Sequence, residues 1–178
     1  KNAVGAILGN GIYNATSRWI TPYGTPRFIC EIIITYTDGS VQKIASNENW
    51  LGHRGPITDD DTYTGETYDA RLEVPNWATI ECDESDWEKV AIRNAPSGKM
   101  KAQTFPNDKV MEVLKPVSIK KNEAGNYMVD FGEEISGWIN FLKISGESGD
   151  TISVRFISES AVGTETYICK GGGIESYA

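Results

Sequence analysis

The apolar and polar positions of the chain alternate with a period of two, the spacing of strands whose successive side chains face opposite ways. Residues 28–36, FICEIIITY, are β-branched and aromatic and run through Thr37-Asp38-Gly39-Ser40 into Val41-Gln42-Lys43-Ile44-Ala45. Asp-Gly between two such runs predicts a hairpin, because both residues tolerate positive φ. A second hairpin is predicted from Val117-Ser118-Ile119-Lys120 and Tyr127-Met128-Val129-Asp130-Phe131, joined by Asn122-Glu123-Ala124-Gly125. A third would pair residues 137–144 with 151–156 through Gly146-Glu147-Ser148-Gly149-Asp150. In its last strand Ile152, Val154 and Phe156 share one face, with Ser153 and Arg155 on the other; Trp138, in the first, is expected in the core. Helix signals are confined to residues 83–90, DESDWEKV, where Ser85 would cap a single turn. Short strands punctuated by Gly, Pro and Asn predict an all-β fold, an antiparallel β-sandwich or jelly roll. The polar, turn-rich stretch 96–108 divides it into two β units, 1–105 and 106–178.

Composition narrows the function. Hydrophobic residues make up 39% of the 178 positions, enough for a packed core. The formal charge of −8 repels phosphate backbones and anionic surfaces, and no aromatic-laced basic patch offsets it, so no nucleic-acid or membrane partner is expected. No apolar run approaches membrane-spanning length. Cys30, Cys82 and Cys169 include no CxxC and read as free thiols, with one disulfide left open. The opening strand-like run from Lys1 and the glycine-rich tail lead us to expect a piece of a longer polypeptide. The compartment is not legible.

Several motifs invite chemistry. Asp130-Phe131-Gly132 resembles a kinase signature, but the glycine-rich loop, strand lysine and HRD-type loop that a kinase needs are absent, and Gly171-Gly172-Gly173 lacks the following Lys-Ser/Thr of a P-loop. DFG then simply ends a strand. Glu133-Glu134 cannot flank one glycosidic bond, since neighbours on an extended chain point apart. Asp59, Asp60 and Asp61 could supply loop carboxylates to calcium, although their spacing is not that of an EF-hand. His53 is the sole histidine and no GxSxG elbow accompanies it, so it reads as a loop residue. Among the five tryptophans, Trp19 is the candidate for an exposed sugar-stacking ring. Asn14-Ala15-Thr16 matches a glycosylation sequon. No catalytic set converges.

LGNGIYNA (8–15), YTDGS (36–40), NENW and GPIT (47–50, 55–58), YTGETYDARLE (63–73), DWEKV (86–90), LKPVSI (114–119), VDFGEEISGW (129–138) and YICKGGGIESYA (167–178) stand in the order found in bacterial α-L-rhamnosidases of glycoside hydrolase family 78, which the chain resembles over nearly its whole length. The resemblance implies two consecutive galactose-binding-like β-sandwich modules lying before a catalytic (α/α)6 barrel, with no catalytic residue on this chain. It also implies rhamnose-containing carbohydrate and that barrel as partners. Departures are Ile12, where the family usually has Trp, and Glu133-Glu134, where it commonly has Gln-Asn. In members whose first module is a calcium-dependent lectin, an acidic residue and an Asn contact metal and sugar; Lys1-Asn2 stands there, so only Asn2 carries over. Glu66 and Asp69 of GETYDAR would accept hydrogen bonds from sugar hydroxyls, or pair with Arg71 and lock the loop. The expectation is an accessory region of a glycoside hydrolase, inactive alone, with no cofactor other than calcium in view. The alternative is an autonomous, calcium-dependent carbohydrate-binding module.

Overall fold

The computed structural model describes residues 1–16, 21–95, 97–102, 104–157 and 163–178. The described residues contain no α-helix. In chain order the strands are β1 (Glu31–Thr35), β2 (Val41–Ala45), β3 (Leu51–Gly52), β4 (Ile57–Asp61), β5 (Gly65–Asp69), β6 (Glu88–Lys89), β7 (Ser118–Lys121), β8 (Tyr127–Asp130), β9 (Phe141–Ile144), β10 (Thr151–Arg155), β11 (Thr164–Ile168) and β12 (Glu175–Tyr177). A 3-10 turn, Ala70–Leu72, follows β5.

The first two predicted hairpins are present. β1 pairs antiparallel with β2 from Glu31↔Ala45 to Thr35↔Val41. Its turn uses Asp-Gly as expected: Gly39 takes a φ of 83°, and Asp38 Oδ1 accepts from Ser40 N at 2.8 Å. β7 pairs with β8 from Ser118↔Asp130 to Lys121↔Tyr127. At its end Asp130 Oδ1 accepts from Gly132 N at 2.8 Å, and Gly132 turns with a φ of 81°, so DFG is a strand stop.

The third hairpin is not formed. β9 pairs with β12, and β10 pairs with β11 from Thr151↔Ile168 to Arg155↔Thr164. The intervening turn is bonded elsewhere: Gly149 N donates to Cys169 O at 2.9 Å, and Cys169 N donates to Asp150 O at 2.7 Å. Those bonds align β10 with β11, which a sequence-local reading of adjacent strands could not anticipate. Trp138 is likewise not core but 60% exposed, because the strand starts only at Phe141. Residues 83–90 form no helix, but Trp87 N donates to Glu84 O at 3.1 Å and closes a single turn. Asp83, rather than Ser85, is the capping acceptor, taking Ser85 N at 3.0 Å, and the chain goes straight into β6, which pairs with β3.

Two compact units result, residues 1–95 with 141–177, and residues 96–140 with 178. Residues 141–177, which the sequence reading grouped with 106–140, pack with 1–95 because β11 aligns on β5. The larger sheet is ordered β10-β11-β5-β4, and its β11–β5 pair is parallel, setting Thr166, Tyr167 and Ile168 beside Thr67, Tyr68 and Asp69. Ala70, Ile144, Tyr167 and Cys169 are buried between this sheet and the β9–β12 pair, with Tyr68, Phe141, Ile152 and Tyr177 packed on them. Two faced sheets with a core between them make this unit a β-sandwich. In β10 Ile152 and Val154 are half-buried while Thr151, Ser153 and Arg155 are exposed, as the alternation predicted.

Candidate functional site

The GETYD strand and the ESY tail, far apart in sequence, meet in the first unit. Gly65 opens β5 with a φ of 96°, and a Cβ there would lie 2.4 Å from Thr164 O, so only glycine lets β11 come this close. Beyond it Glu66 N donates to Glu165 Oε2 at 2.9 Å. The rings of Tyr68, Tyr167 and Tyr177 then cluster, with centroids 5.7 Å (68–167), 5.3 Å (68–177) and 4.9 Å (167–177) apart. Each phenol donates to a different carboxylate: Tyr177 to Glu66 at 2.8 Å, Tyr68 to Glu73 at 3.1 Å and Tyr167 to Glu175 at 2.7 Å. Glu175 also gathers the tail, accepting from Lys170 N at 2.8 Å and Gly171 N at 2.9 Å. Lys170 Nζ in turn reaches Glu73 Oε2 at 3.4 Å.

The electrostatics follow from this packing. Burial pushes the Tyr68 phenol up to about 12, with the Glu73 charge adding to it, and raises Tyr167 and Tyr177 as well. All three remain donors at neutral pH. Burial also raises Glu66; its bond from Tyr177 opposes that, and the charges of Glu165 and Asp60 reinforce it. Glu175 is held low, first by the Lys170 N–H and then by the Tyr167 hydroxyl. Such a cluster can lock strands together; it holds no activated nucleophile.

Asp69 takes the second of its two expected roles. Its carboxylate accepts from Arg71 Nε at 2.8 Å and Nη2 at 2.7 Å, and from Arg71 N at 3.1 Å, capping the 3-10 turn and holding its own pKa low. Glu66 pairs with Tyr177 rather than Arg71. Asp60 accepts from Asn10 N at 2.9 Å and Gly11 N at 2.8 Å, while Asp61 accepts from Thr16 N at 2.7 Å and Tyr63 N at 2.8 Å. Asp59 is exposed on β4. Among the described residues no three His, Cys, Asp or Glu side chains group as metal ligands. Asn2 is exposed and not part of a strand, and Trp19 lies outside the described residues. His53 stacks on Trp87 with centroids 5.7 Å apart and sits 3.4 Å from Asp86. The three cysteines are free, Cys169 buried and Cys30 and Cys82 half-buried.

Residues 1–112 match the family model described as Alpha-L-rhamnosidase N-terminal domain. The chain belongs to this family. Over 99% of its length it is 33% identical to an α-L-rhamnosidase of Formosa agariphila and 30% identical to one of Streptomyces avermitilis. It spans only 21% and 19% of those two relatives, so it corresponds to about a fifth of each. Among solved structures, the α-L-rhamnosidase from Dictyoglumus thermophilum superimposes with a TM-score of 0.75 at 34% identity, over 84% of this chain and 18% of that one. The Streptomyces avermitilis α-L-rhamnosidase complexed with L-rhamnose gives 0.73 at 27% identity, over 83% of this chain and 16% of that one.

For this rhamnosidase N-terminal domain, the residue-level reading missed Tyr68, Tyr167, Tyr177, Glu73 and Glu175 as one assembly. The signal was present but split. YDARLE and YICKGGGIESY each carry tyrosine and glutamate at short spacing, yet nothing local says that they meet.

Proposed function

We propose that this chain is a non-catalytic accessory region of an α-L-rhamnosidase, supporting hydrolysis of terminal α-L-rhamnose by a catalytic barrel elsewhere in the polypeptide. One observation carries the reading: carboxylates of β4, of β5 with the turn after it, and of the tail that meets them are committed to structure. Glu66, Glu73 and Glu175 accept from phenols, Asp69 from a guanidinium, and Asp60 and Asp61 from backbone N–H groups. A glycosidase needs one carboxylic acid and one carboxylate facing each other across a sugar, free to exchange protons. The surface supports the same reading. Large apolar side chains stand exposed in each unit, Ile7 and Ile33 in the first and Met111 and Val113 in the second, which fits a region that packs on more polypeptide.

The test uses a nitrophenyl α-L-rhamnoside and three preparations: the full-length polypeptide, the same polypeptide without these 178 residues, and this chain alone. Turnover by the first only, or by the first two, is expected. Turnover by the purified chain alone would overturn the proposal.

A further inference from the structure

Asn10-Gly11 is the only Asn-Gly step in the sequence. Such a step is chemically weak: with no side chain on the second residue, its backbone nitrogen can close on the side-chain carbonyl carbon of the asparagine. The structure ties both reacting groups elsewhere. Gly11 N, the attacking atom in that closure, donates to Asp60 Oδ2 at 2.8 Å, and Asn10 N donates to Oδ1 of the same carboxylate at 2.9 Å. Asn10 Oδ1, on the carbon that would be attacked, accepts from Asn14 Nδ2 at 2.9 Å, and Asn14 N closes back on Asn10 O at 3.1 Å. The carboxylate lies so close to this backbone that a Cβ on Gly9 would stand 2.7 Å from Asp60 Oδ2. Asp60 is half-buried on β4 and pairs with Glu66 of β5, so the four-stranded sheet, not the loop, sets its position.

We propose that Asn10-Gly11 is a latent deamidation site that Asp60 keeps closed. In the reaction the Gly11 nitrogen loses its proton and bonds to Asn10 Cγ. The Cγ–Nδ2 bond breaks, and ammonia leaves with that proton, giving a succinimide. Water then opens the ring on one side of its nitrogen, to aspartate, or on the other, to isoaspartate. Neither step needs an oxidant or a cofactor. Asp60 opposes the first step twice. Its charge disfavours a second negative charge on the nitrogen it already binds. Its two bonds also fix two consecutive N–H groups, so closure requires the loop to come off the sheet first. Conversion is one-way for the anchor as well. Aspartate at residue 10 sets a like charge beside Asp60, and isoaspartate lengthens the backbone between the two N–H groups that Asp60 binds.

The experiment incubates the full-length polypeptide at mildly alkaline pH, native and in concentrated urea, and follows each asparagine by peptide mapping with mass spectrometry. In urea Asn10 should convert faster than every other asparagine of residues 1–178. In native buffer it should convert at least about tenfold more slowly, because both charge-assisted bonds must open first. Asp60→Ala should raise the native rate about tenfold. Asp60→Asn, which keeps an acceptor oxygen in place, replaces it where amide exchange at residues 66–69 shows that the alanine variant has not folded. A gain of about threefold is expected there, because the charge is lost and a neutral bond remains. A native rate equal to the rate in urea would overturn the proposal. So would a native rate that the Asp60 substitutions leave unchanged or lower.

Discussion

The junction of β5, β11 and β12 and the β7–β8 hairpin are both short β assemblies, but different forces hold them. In the hairpin every described bond is local. Asn122 N and Asn126 O meet at 2.8 Å, Asn122 Oδ1 accepts from Asn126 N at 2.9 Å, and Lys121 lies 5.6 Å from the Tyr127 ring. Its apolar residues remain in solvent, with Val117, Ile119 and Tyr127 67%, 61% and 68% exposed. In the junction Tyr167 is 2% exposed, and Tyr177 binds Glu66 across 111 positions of sequence. Two strands alone are marginal in water. The hairpin therefore depends on turn chemistry, whereas the junction depends on long-range closure, where one displaced backbone disturbs several partners.

Two glycines put that contrast to its hardest test. Gly65 and Gly125 have nearly the same left-handed backbone, with φ of 96° and 89°. A Cβ on Gly65 would strike Thr164 O at 2.4 Å, while one on Gly125 would meet only Lys121 Cε at 3.9 Å. We expect Gly65→Ala to cost about 3 kcal/mol or more, through clash as well as strain. Gly125→Ala should cost about 1 kcal/mol, from strain alone. Amide-exchange protection at residues 66–69 and at 118–121 measures each locally. Equal losses at the two sites would erase the distinction.

Next in size is Asp69→Ala, which removes the 3-10 cap and an acceptor only 7% exposed. A loss of about 2 kcal/mol is expected, read as faster exchange at the Arg71 and Glu73 amides. Tyr177→Phe keeps the ring in its cluster and deletes one hydroxyl bond to Glu66. It should cost about 1 kcal/mol and leave the hairpin unchanged.

The pH response sharpens the comparison further. Glu66 is raised in the folded state, so its ionised form opposes folding, and that penalty is relieved as pH falls through its folded pKa toward its unfolded one. Asp69 and Glu175 are lowered, so they stabilise above their unfolded pKa values and lose that contribution as pH falls through their folded ones. Junction protection factors should therefore rise slightly from neutral to mildly acid pH in wild type and stay flat in Glu66→Gln, before both fall in stronger acid. A wild-type profile no different from Glu66→Gln would remove Glu66 from the account. The smallest effect concerns thiols. Cys169 is buried and its pKa is pushed up by burial, so a maleimide should label it more slowly than half-buried Cys30.

The sequence alone determined what lies within a few residues. Thr37-Asp38-Gly39-Ser40 and Asn122-Glu123-Ala124-Gly125 could be read as turns because backbone sterics and side-chain capping act over that distance. The alternation of Ile152 and Val154 gave the inward face of β10 for the same reason. Ordered motifs carried the family, and with it the sandwich. Tertiary structure alone decided partners. Residues 141–144 could have paired with β10 across their shared turn, yet β9 took β12, and β10 and β5 both took β11. Sequence offered Glu66 an Arg71 partner or a sugar, and the fold gave it Tyr177 instead. A strand's edge offers the same N–H and C=O groups to any neighbour, so pairing is chosen by collective burial, which no local pattern records.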